Sequence, residues 1–308
     1  CKILQITLLG RHATRLKFPA DIVYKFLTGC ISTTNLQLKV KRSGGRMCLI
    51  LLSINRHPQY RLIFMGNRDE FLDRPTASAH FWEDAPNILA GRDLREKGTW
   101  LGITRQGGLA ALTNFRNPSG RKQNAISRGF LVSEFLRNEG DPPKYAESLA
   151  HGAHNYNEFN LLFGDHRQLY FLSNRETEPR ILGTGVYGLS NHLLDTPWPK
   201  LVRGKTALLE TLSSEQNLTS EVLFEILADR TQPKDEFLPN TGVGLEWERI
   251  LAPIFVSSES YGTRSSVVLL VDFENKATFT ERTYDNCNPC RFNEKTFEFS
   301  IRNSYEKR

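Results

Sequence analysis

Cysteine and methionine are scarce in this 308-residue sequence, which contains five cysteines and two methionines. A small and odd number of cysteines does not predict the disulfide framework of a small secreted domain, so a reducing compartment is favoured. The chain also lacks an apolar stretch of about 20 residues, the length that crosses a bilayer. Its first residues show no clear cleavage site of a secretory signal. These absences favour a cytoplasmic protein without a membrane span.

Residue spacings typical of metal or nucleotide sites are missing as well. Cys287 and Cys290 form a single C-x-x-C motif, and His151 and His154 lie three residues apart on a predicted helix. A structural zinc site needs four ligands, and neither pair has the remaining ones. The Gly107-Gly108 pair predicts a turn between strands, not a phosphate-binding loop before a helix. No metal and no other cofactor is predicted.

The net charge of +6 is unevenly distributed. Residues 1–46 hold nine Lys/Arg and one acid, and residues 286–308 hold five Lys/Arg and three acids, which leaves −4 for residues 47–285. The basic excess therefore lies in the two ends, and a nucleic-acid-binding surface on the body is not predicted. A small-molecule ligand is the expected partner, and the oligomeric state is left open.

The sequence pattern divides the chain into three parts. Residues 1–46 end in a basic, glycine-rich stretch, "KVKRSGGR", and are predicted to be an N-terminal extension outside the fold. Residues 47–285 form the predicted domain, and residues 286–308 a C-terminal tail. At the start of the domain, "CLILLSI" and "YRLIFMG" flank the turn residues "NRHPQ", which predicts a hairpin buried on both faces.

Helical and extended patterns alternate along the predicted domain. Helix pairs are predicted at 127–138 with 142–156 and at 196–212 with 219–230, with Ser127 as an N-cap and Pro197 or Pro199 in a first turn. Strand patterns precede, separate and follow these pairs, and short turns between strands favour antiparallel pairing. The predicted fold class is α+β, a layered sandwich in which helix pairs cover two largely antiparallel sheets.

Two short segments carry the candidate chemistry. If Met47 is the initiator and is removed, Cys48 becomes the N-terminal residue, and one residue then holds both a thiol nucleophile and an amine that serves as its base. At the end of the second predicted strand, Asn67, Arg68, Asp69 and Glu70 place an amide, a guanidinium and two carboxylates in succession. They are expected where the strand emerges to form a site. The alternative is a solvated turn with a local Arg–Asp pair.

These segments resemble a known family. "MCLILLSIN", "FMGNRDEFLDRPT", "ILAGRDLREKGTWLGIT" and "GGLAALTNFRNP" closely resemble the NRDE family, also called Transport and Golgi Organisation 2, and the likeness covers approximately residues 47–285. The resemblance implies that residues 1–46 are an upstream extension. It also implies links to haem trafficking, to lipid or acyl-group metabolism and to secretory organisation.

The NRDE family in turn resembles the N-terminal-nucleophile cysteine hydrolases of the penicillin V acylase and bile salt hydrolase type. This resemblance implies a four-layer αββα fold and cleavage of amides by an N-terminal cysteine. It implies that Cys48 is the nucleophile and that Arg68 and Asp69 orient it. Asn114 would be an oxyanion donor, and Asn191 and Arg264 would be further residues of the site. Those hydrolases read Gly-Arg-Asn-x-Asp where this chain reads Gly-Asn-Arg-Asp-Glu. Neighbours on a strand point to opposite faces, so Arg68 and Asp69 are not both expected to reach Cys48 from a regular strand.

Each assignment has a plain alternative, and three functions remain open. Cys48 is alternatively a small buried residue, Asn114 a turn residue, Asn191 a loop cap and Arg264 a surface charge. The first function is an amidohydrolase or acyl-transfer enzyme that uses Cys48. The second is a binding protein for haem or an acyl conjugate that uses Asn67 to Glu70 and Arg116. The third is an interaction role in Golgi organisation.

Overall fold

The computed structural model describes residues 47–302, apart from 121, 139–140, 177, 215–216 and 287. The predicted N-terminal extension, residues 1–46, lies outside the described residues, as does Cys287 of the C-x-x-C motif. Among the described residues, no group of three or more side chains has the arrangement of a metal site. No described helix combines the length and the apolarity that a bilayer crossing requires.

The first two strands form the predicted hairpin. Strand β1 (Met47–Ile54) pairs antiparallel with β2 (Tyr60–Phe71), and Ile54 lies opposite Leu62 at the turn end. The side chains of the hairpin are buried on both faces because a second sheet covers one face and helices cover the other. Burial on both faces explains why the two segments are almost continuously apolar, as predicted from the sequence.

The hairpin belongs to a six-stranded sheet in the order β10-β1-β2-β11-β12-β13. Every neighbouring pair in it is antiparallel. Its other strands are β10 (Gly185–Leu189), β11 (Tyr261–Asp272), β12 (Lys276–Tyr284) and β13 (Phe292–Ser300).

A seven-stranded antiparallel sheet follows the order of the chain from β3 to β9. Its strands are β3 (Thr76–Trp82), β4 (Ala85–Asp93), β5 (Leu101–Thr104), β6 (Gly108–Asn114), β7 (Phe159–Asp165), β8 (Leu169–Ser173) and β9 (Arg180–Leu182). The sequence pattern does not predict β3, β4 or β9, because polar residues and irregular pairing interrupt their alternation.

Two helix pairs form at the predicted places, α1 (Gly129–Arg137) with α2 (Pro142–Gly152) and α3 (Pro199–Ser213) with α4 (Ser220–Leu227), and a short helix α5 (Leu245–Ile250) follows. The Asp141 and Thr219 side chains cap α2 and α4, and Pro199 opens α3. Ser127 is not the predicted N-cap of α1: Arg128 precedes Gly129, and Ser127 instead offers its carbonyl to the Phe130 amide.

Three apolar clusters divide the molecule into four layers. One lies between the two sheets, a second between the seven-stranded sheet and α1 with α2, and a third between the six-stranded sheet and α3 with α4. This arrangement confirms the predicted α+β class and the αββα sandwich.

The folded body extends beyond the predicted boundary at residue 285. Strand β13 pairs with β12 along its length, with Phe297 opposite Phe279 and Phe299 opposite Ala277. Phe297 and Phe299 pack against the cluster between the sheets, while Glu298 between them is exposed. This two-residue alternation is typical of an edge strand, and it explains why part of the predicted tail joins the sheet.

Candidate active site

The two faces of the β1–β2 hairpin sort the candidate residues. Ile50 and Phe64 point toward the seven-stranded sheet, whereas Leu49 and Met65 point toward the helices. By the alternation of strand side chains, Cys48, Arg68 and Glu70 share the face between the sheets. Asn67 and Asp69 share the helical face.

The four NRDE residues form the end of β2, where the sequence predicts them, but the strand continues to Phe71 and they are buried in the sheet. Asn67, Arg68, Asp69 and Glu70 are all buried, with 1% to 6% of their surface exposed. The solvated-turn alternative is therefore wrong. Burial of four polar side chains in succession is tolerated because β1 and β11 flank the strand and supply partners for its polar groups.

Cys48 lies at the end of β1, directly opposite Arg68 in the register of the hairpin. Its backbone nitrogen donates to Asn191 Oδ1 at 3.4 Å, and its carbonyl accepts from Ser190 Oγ at 3.2 Å. Burial, and after it the Asp69 carboxylate, raise the pKa of the Cys48 thiol to about 12 despite the opposing effects of Arg68 and of a hydrogen bond with the Asp69 backbone. In this state the thiol is neutral at physiological pH and is a weak nucleophile.

Arg68 lies between Cys48 and a group of buried charges. Its guanidinium stacks over the Trp100 ring at 4.1 Å and donates to Thr76 Oγ1 at 3.1 Å. Carboxylate oxygens of Glu70 and Asp93 lie 3.8 and 4.0 Å away. Because acids surround it, much of its positive charge is already compensated inside the protein.

Asp69 lies on the other face of β2, so its side chain does not share a face with Arg68. Thr263 Oγ1 donates to Asp69 Oδ1 at 2.7 Å, and Asp69 Oδ2 has no hydrogen-bond partner among the described residues. Burial raises the pKa of Asp69 to about 6, while the Lys200 ammonium is the main influence that lowers it. Arg68 and Asp69 therefore point to opposite faces of the strand, as predicted. The Asp69 backbone, rather than its side chain, hydrogen-bonds with the Cys48 thiol.

Asn191 and Asn114 join the ends of three strands at Cys48. Asn191 is fully buried, and its side-chain amide donates to the Asn114 carbonyl at 2.7 Å while its Oδ1 accepts from Cys48. The structure therefore brings Asn191 into contact with Cys48, which is more than a loop cap provides. Asn114 lines the cleft that contains Cys48.

Arg264 occupies a β-bulge in β11, where the register with β2 shifts between Thr263 and Ser265. A bulge redirects the side chain of the extra residue. The Arg264 guanidinium donates to the carbonyls of Phe71 at 2.9 Å and Arg74 at 3.1 Å. It is half-buried and holds the connection between β2 and β3, and it is not among the residues that line the Cys48 cleft.

Asn67 connects the sheet to the helical layer. Its amide nitrogen donates to the carbonyls of Leu227 and Ile254, both at 2.9 Å, and its Oδ1 accepts from Ser266 Oγ at 2.6 Å. These three hydrogen bonds give Asn67 the contacts of a structural residue, although the sequence analysis grouped it with the ligand-binding residues.

Replacing Asn67 with alanine is expected to lower the free energy of unfolding by about 2–4 kcal/mol, because two buried carbonyls lose their donor. Urea unfolding measures this change, and Asn293→Ala, at an exposed position of β13, is the matched control. Retained stability with loss of ligand binding would instead return Asn67 to the predicted ligand-binding group.

Glu70 and Arg116 also make internal contacts. Glu70 accepts from the Phe71 amide at 2.9 Å and faces Arg68. Arg116 forms a buried ion pair with Glu248 and stacks over Trp198 at 4.5 Å. Arg116 therefore lines a separate small space with Lys200 on the helical face.

The Cys48 cleft lies between the ends of β1, β2, β4 and β6, the segment 98–100 and the start of α1. It holds about 520 Å³ of space, including the part open to solvent, and Trp100 and Leu112 form its apolar wall. Cys48, Arg68, Asp69 and Asn114 of the predicted catalytic set line this cleft, and Asn191 supports it through Cys48.

Sequence reasoning missed Lys200, which is buried and faces Asp69 from α3. One signal was available: Lys200 shares the helical stripe of Gly204 and Leu208, both buried, at steps of four residues. A lysine on the buried stripe of a helix needs a charge partner. The sequence does not indicate which acid that partner is.

Comparisons with known proteins agree with the family resemblance. The family model of Transport and Golgi organisation 2 matches residues 47–286. The Transport and Golgi organization protein 2 homolog of Bos taurus is 37% identical over 275 residues, covering 83% of this chain and 99% of the relative. Transport and Golgi organization protein 2 of Drosophila melanogaster is 31% identical over 277 residues, covering 79% of this chain and 94% of the relative.

Two solved structures match this chain at low TM-scores and low sequence identity. A mutant of the conjugated bile acid hydrolase from Clostridium perfringens matches with a TM-score of 0.46 and 10% identity, over 84% of this chain and 99% of that chain. The Caenorhabditis elegans N-acylethanolamine-hydrolyzing acid amidase ortholog matches with a TM-score of 0.43 and 10% identity, over 72% of this chain and 92% of that chain. At these values neither structure assigns chemistry to this chain.

Proposed function

We propose, from the premise that this chain belongs to the Transport and Golgi organisation 2 family, that it is an amidohydrolase or acyl-transfer enzyme with Cys48 as its N-terminal nucleophile. The observation that carries the proposal is the position of Cys48 in the cleft. Its thiol lines the cleft beside Arg68 and Asn114, and its nitrogen is held by Asn191.

The proposal requires removal of the residues before Cys48. A peptide nitrogen is not a base, and the thiol pKa of about 12 leaves almost no thiolate near pH 7. A free α-amine has a pKa of about 7.7–8.0, so a useful fraction is unprotonated near neutral pH and can accept the thiol proton. The unpartnered Asp69 Oδ2 offers a buried acceptor near the resulting ammonium, since Asp69 lies opposite Met47 in the hairpin register.

The reaction then follows from these groups. The amine takes the thiol proton, and the sulfur adds to the amide carbonyl carbon to give a tetrahedral oxyanion, for which the Asn114 side chain is the proposed hydrogen-bond donor. The proton passes to the leaving nitrogen, the C–N bond breaks, and a thioester remains on Cys48. Water releases the acid in an amidohydrolase, whereas a second nucleophile takes the acyl group in an acyl transfer.

The availability of the Cys48 amine gives the first test. A chain of residues 48–308 is expected to release aminomethylcoumarin from short-chain or long-chain acyl amides, and the full chain of 308 residues is expected to be inactive because its Cys48 nitrogen is acylated. Intact mass must show the starting residue of each preparation. Equal rates in both chains would contradict the mechanism.

Ligand binding without chemistry is the second candidate, and the raised thiol pKa favours it if residues before Cys48 are retained. The same cleft would then hold an acyl conjugate or the edge of a haem. Its expected signature is saturable binding to the full chain that survives Cys48→Ala. A role in Golgi organisation, which the relatives' names suggest, would be a cellular consequence of either activity.

A further inference from the structure

Lys200 is a buried cation that none of the predicted site assignments uses. It lies in the first turn of α3, 3% of its surface is exposed, and its Nζ donates to the Leu251 carbonyl at 3.2 Å. An ammonium has three donor hydrogens, so this bond leaves two further donors in the protein interior. Buried lysines occur where an acid compensates their charge.

Asp69 is the complementary group on the neighbouring strand. Thr263 satisfies one carboxylate oxygen, and the second oxygen is buried without a partner among the described residues. Lys200 is the cation with the largest influence on Asp69, and Asp69 is the acid with the largest influence on Lys200. Each of the two incomplete groups therefore has the other as its principal counter-charge.

The remaining charged neighbours of this pair come from four elements. Lys200 also faces Arg116 after β6, Cys48 of β1 and Glu248 of α5, and Asp69 also faces Arg68 of β2. Arg116 is paired with Glu248, and Arg68 lies on the other face of β2 among Glu70 and Asp93. Among the described residues, Arg68 and Arg116 thus have acids within 4 Å, whereas Lys200 and Asp69 have no ion-pair partner at that distance.

We infer that Lys200 is a positioning residue of the Cys48 site: its ammonium compensates the buried Asp69 carboxylate and keeps that carboxylate charged behind the nucleophile. The inference rests on the proposed function, because a charged Asp69 is useful there only as the acceptor for the Cys48 ammonium. Lys200 acts through Asp69 and does not touch the cleft.

The electrostatics support a defined pH window. Burial lowers the pKa of Lys200 to about 8 and raises the pKa of Asp69 to about 6, and the attraction between the two groups opposes both changes. Both groups are therefore charged between about pH 6 and pH 8. Without the ammonium, the Asp69 pKa is expected to rise further, which favours the protonated acid.

The test measures the titration of the Asp69 carboxyl group by ¹³C NMR in a chain of residues 48–308 with labelled aspartate. The Asp69 signal is identified as the one that is missing from the spectrum of Asp69→Asn. Lys200→Met is expected to raise the titration midpoint of Asp69 by about one pH unit or more. Lys205→Met is the matched control on the same helix, because Lys205 pairs with Asp195 at a partly exposed position. Lys200→Gln, which keeps a donor for the Leu251 carbonyl, serves if the methionine variant does not fold.

The outcomes separate this inference from the proposed function. An unchanged Asp69 midpoint in both Lys200 variants would overturn the role of Lys200, even if amides are cleaved. A raised midpoint in a chain that cleaves no amide would support the electrostatic role and refute the enzymatic proposal. In an active chain, Lys200→Met should also move the acidic limb of the pH–rate profile to higher pH. Lys200→Met should cause no such shift in a chain that already carries Asp69→Asn.

Discussion

Replacing Cys48 with alanine in residues 48–308 is expected to lower the rate of amide cleavage by about 10³-fold or more. The substitution removes the sulfur that forms the acyl intermediate, whereas the amine, Asn114 and the cleft remain. The rate is measured with the acyl aminomethylcoumarin that the unmodified chain cleaves fastest. The thioester gives a second readout, because rapid quenching followed by intact mass should show an acyl adduct that Cys48→Ala lacks.

The matched control is Cys290→Ala, which removes an exposed free thiol from the same chain. Its rate should equal that of the unmodified protein. Cys48→Ala is also expected to fold, because it replaces a side chain at the cleft and leaves the Asn191 and Ser190 bonds to the backbone in place. Undiminished cleavage by a folded Cys48→Ala protein would exclude Cys48 as the nucleophile.

The fold was predictable where local pattern decides it. The apolar segments of β1 and β2 and the turn between them predict the hairpin, and the helical stripes predict the two helix pairs. The separation of Arg68 and Asp69 onto opposite faces was predictable from strand parity alone. β3, β4 and β9 were not, because their pairing partners rather than their own alternation determine them.

The site was predictable only in part, because its contacts join distant segments. Cys48, Arg68 and Asn114 were identified by resemblance, and the structure brings them to one cleft. The hydrogen bonds of Asn67 to the helical layer and the bulge that redirects Arg264 depend on the packing of other elements. No periodicity in the sequence contains that information.

Asp69 illustrates the same limit more sharply. The sequence predicts a carboxylate near Cys48, but it does not show that Lys200, on a separate helix, is the cation that most lowers the pKa of that carboxylate. Since burial alone favours the protonated acid, the proposed role of Asp69 depends on a residue outside the NRDE segment.

Removing Glu248 is expected to produce the largest loss of stability. Glu248 pairs with Arg116 in the interior, and its Oε1 accepts from the Thr241 amide at 2.8 Å and from Thr241 Oγ1 at 2.6 Å. Glu248→Leu leaves the Arg116 guanidinium buried without its counter-charge and removes the acceptor of two donors. We expect the free energy of unfolding to fall by about 3–5 kcal/mol.

Urea unfolding at neutral pH measures this loss, and Glu246→Leu, at an exposed position of the same helix, is the control. The double variant Arg116→Met with Glu248→Leu removes both charges and should recover a large part of the loss, because no buried ion is left unpaired. A cost below about 1 kcal/mol for Glu248→Leu alone would show that Arg116 reaches solvent or another acid.

Because Glu248 also supports the charge of Lys200, its loss should lower the pKa of Lys200 and thereby weaken the compensation of Asp69. The Arg116–Glu248 pair thus couples the stability of the helical layer to the charge behind Cys48.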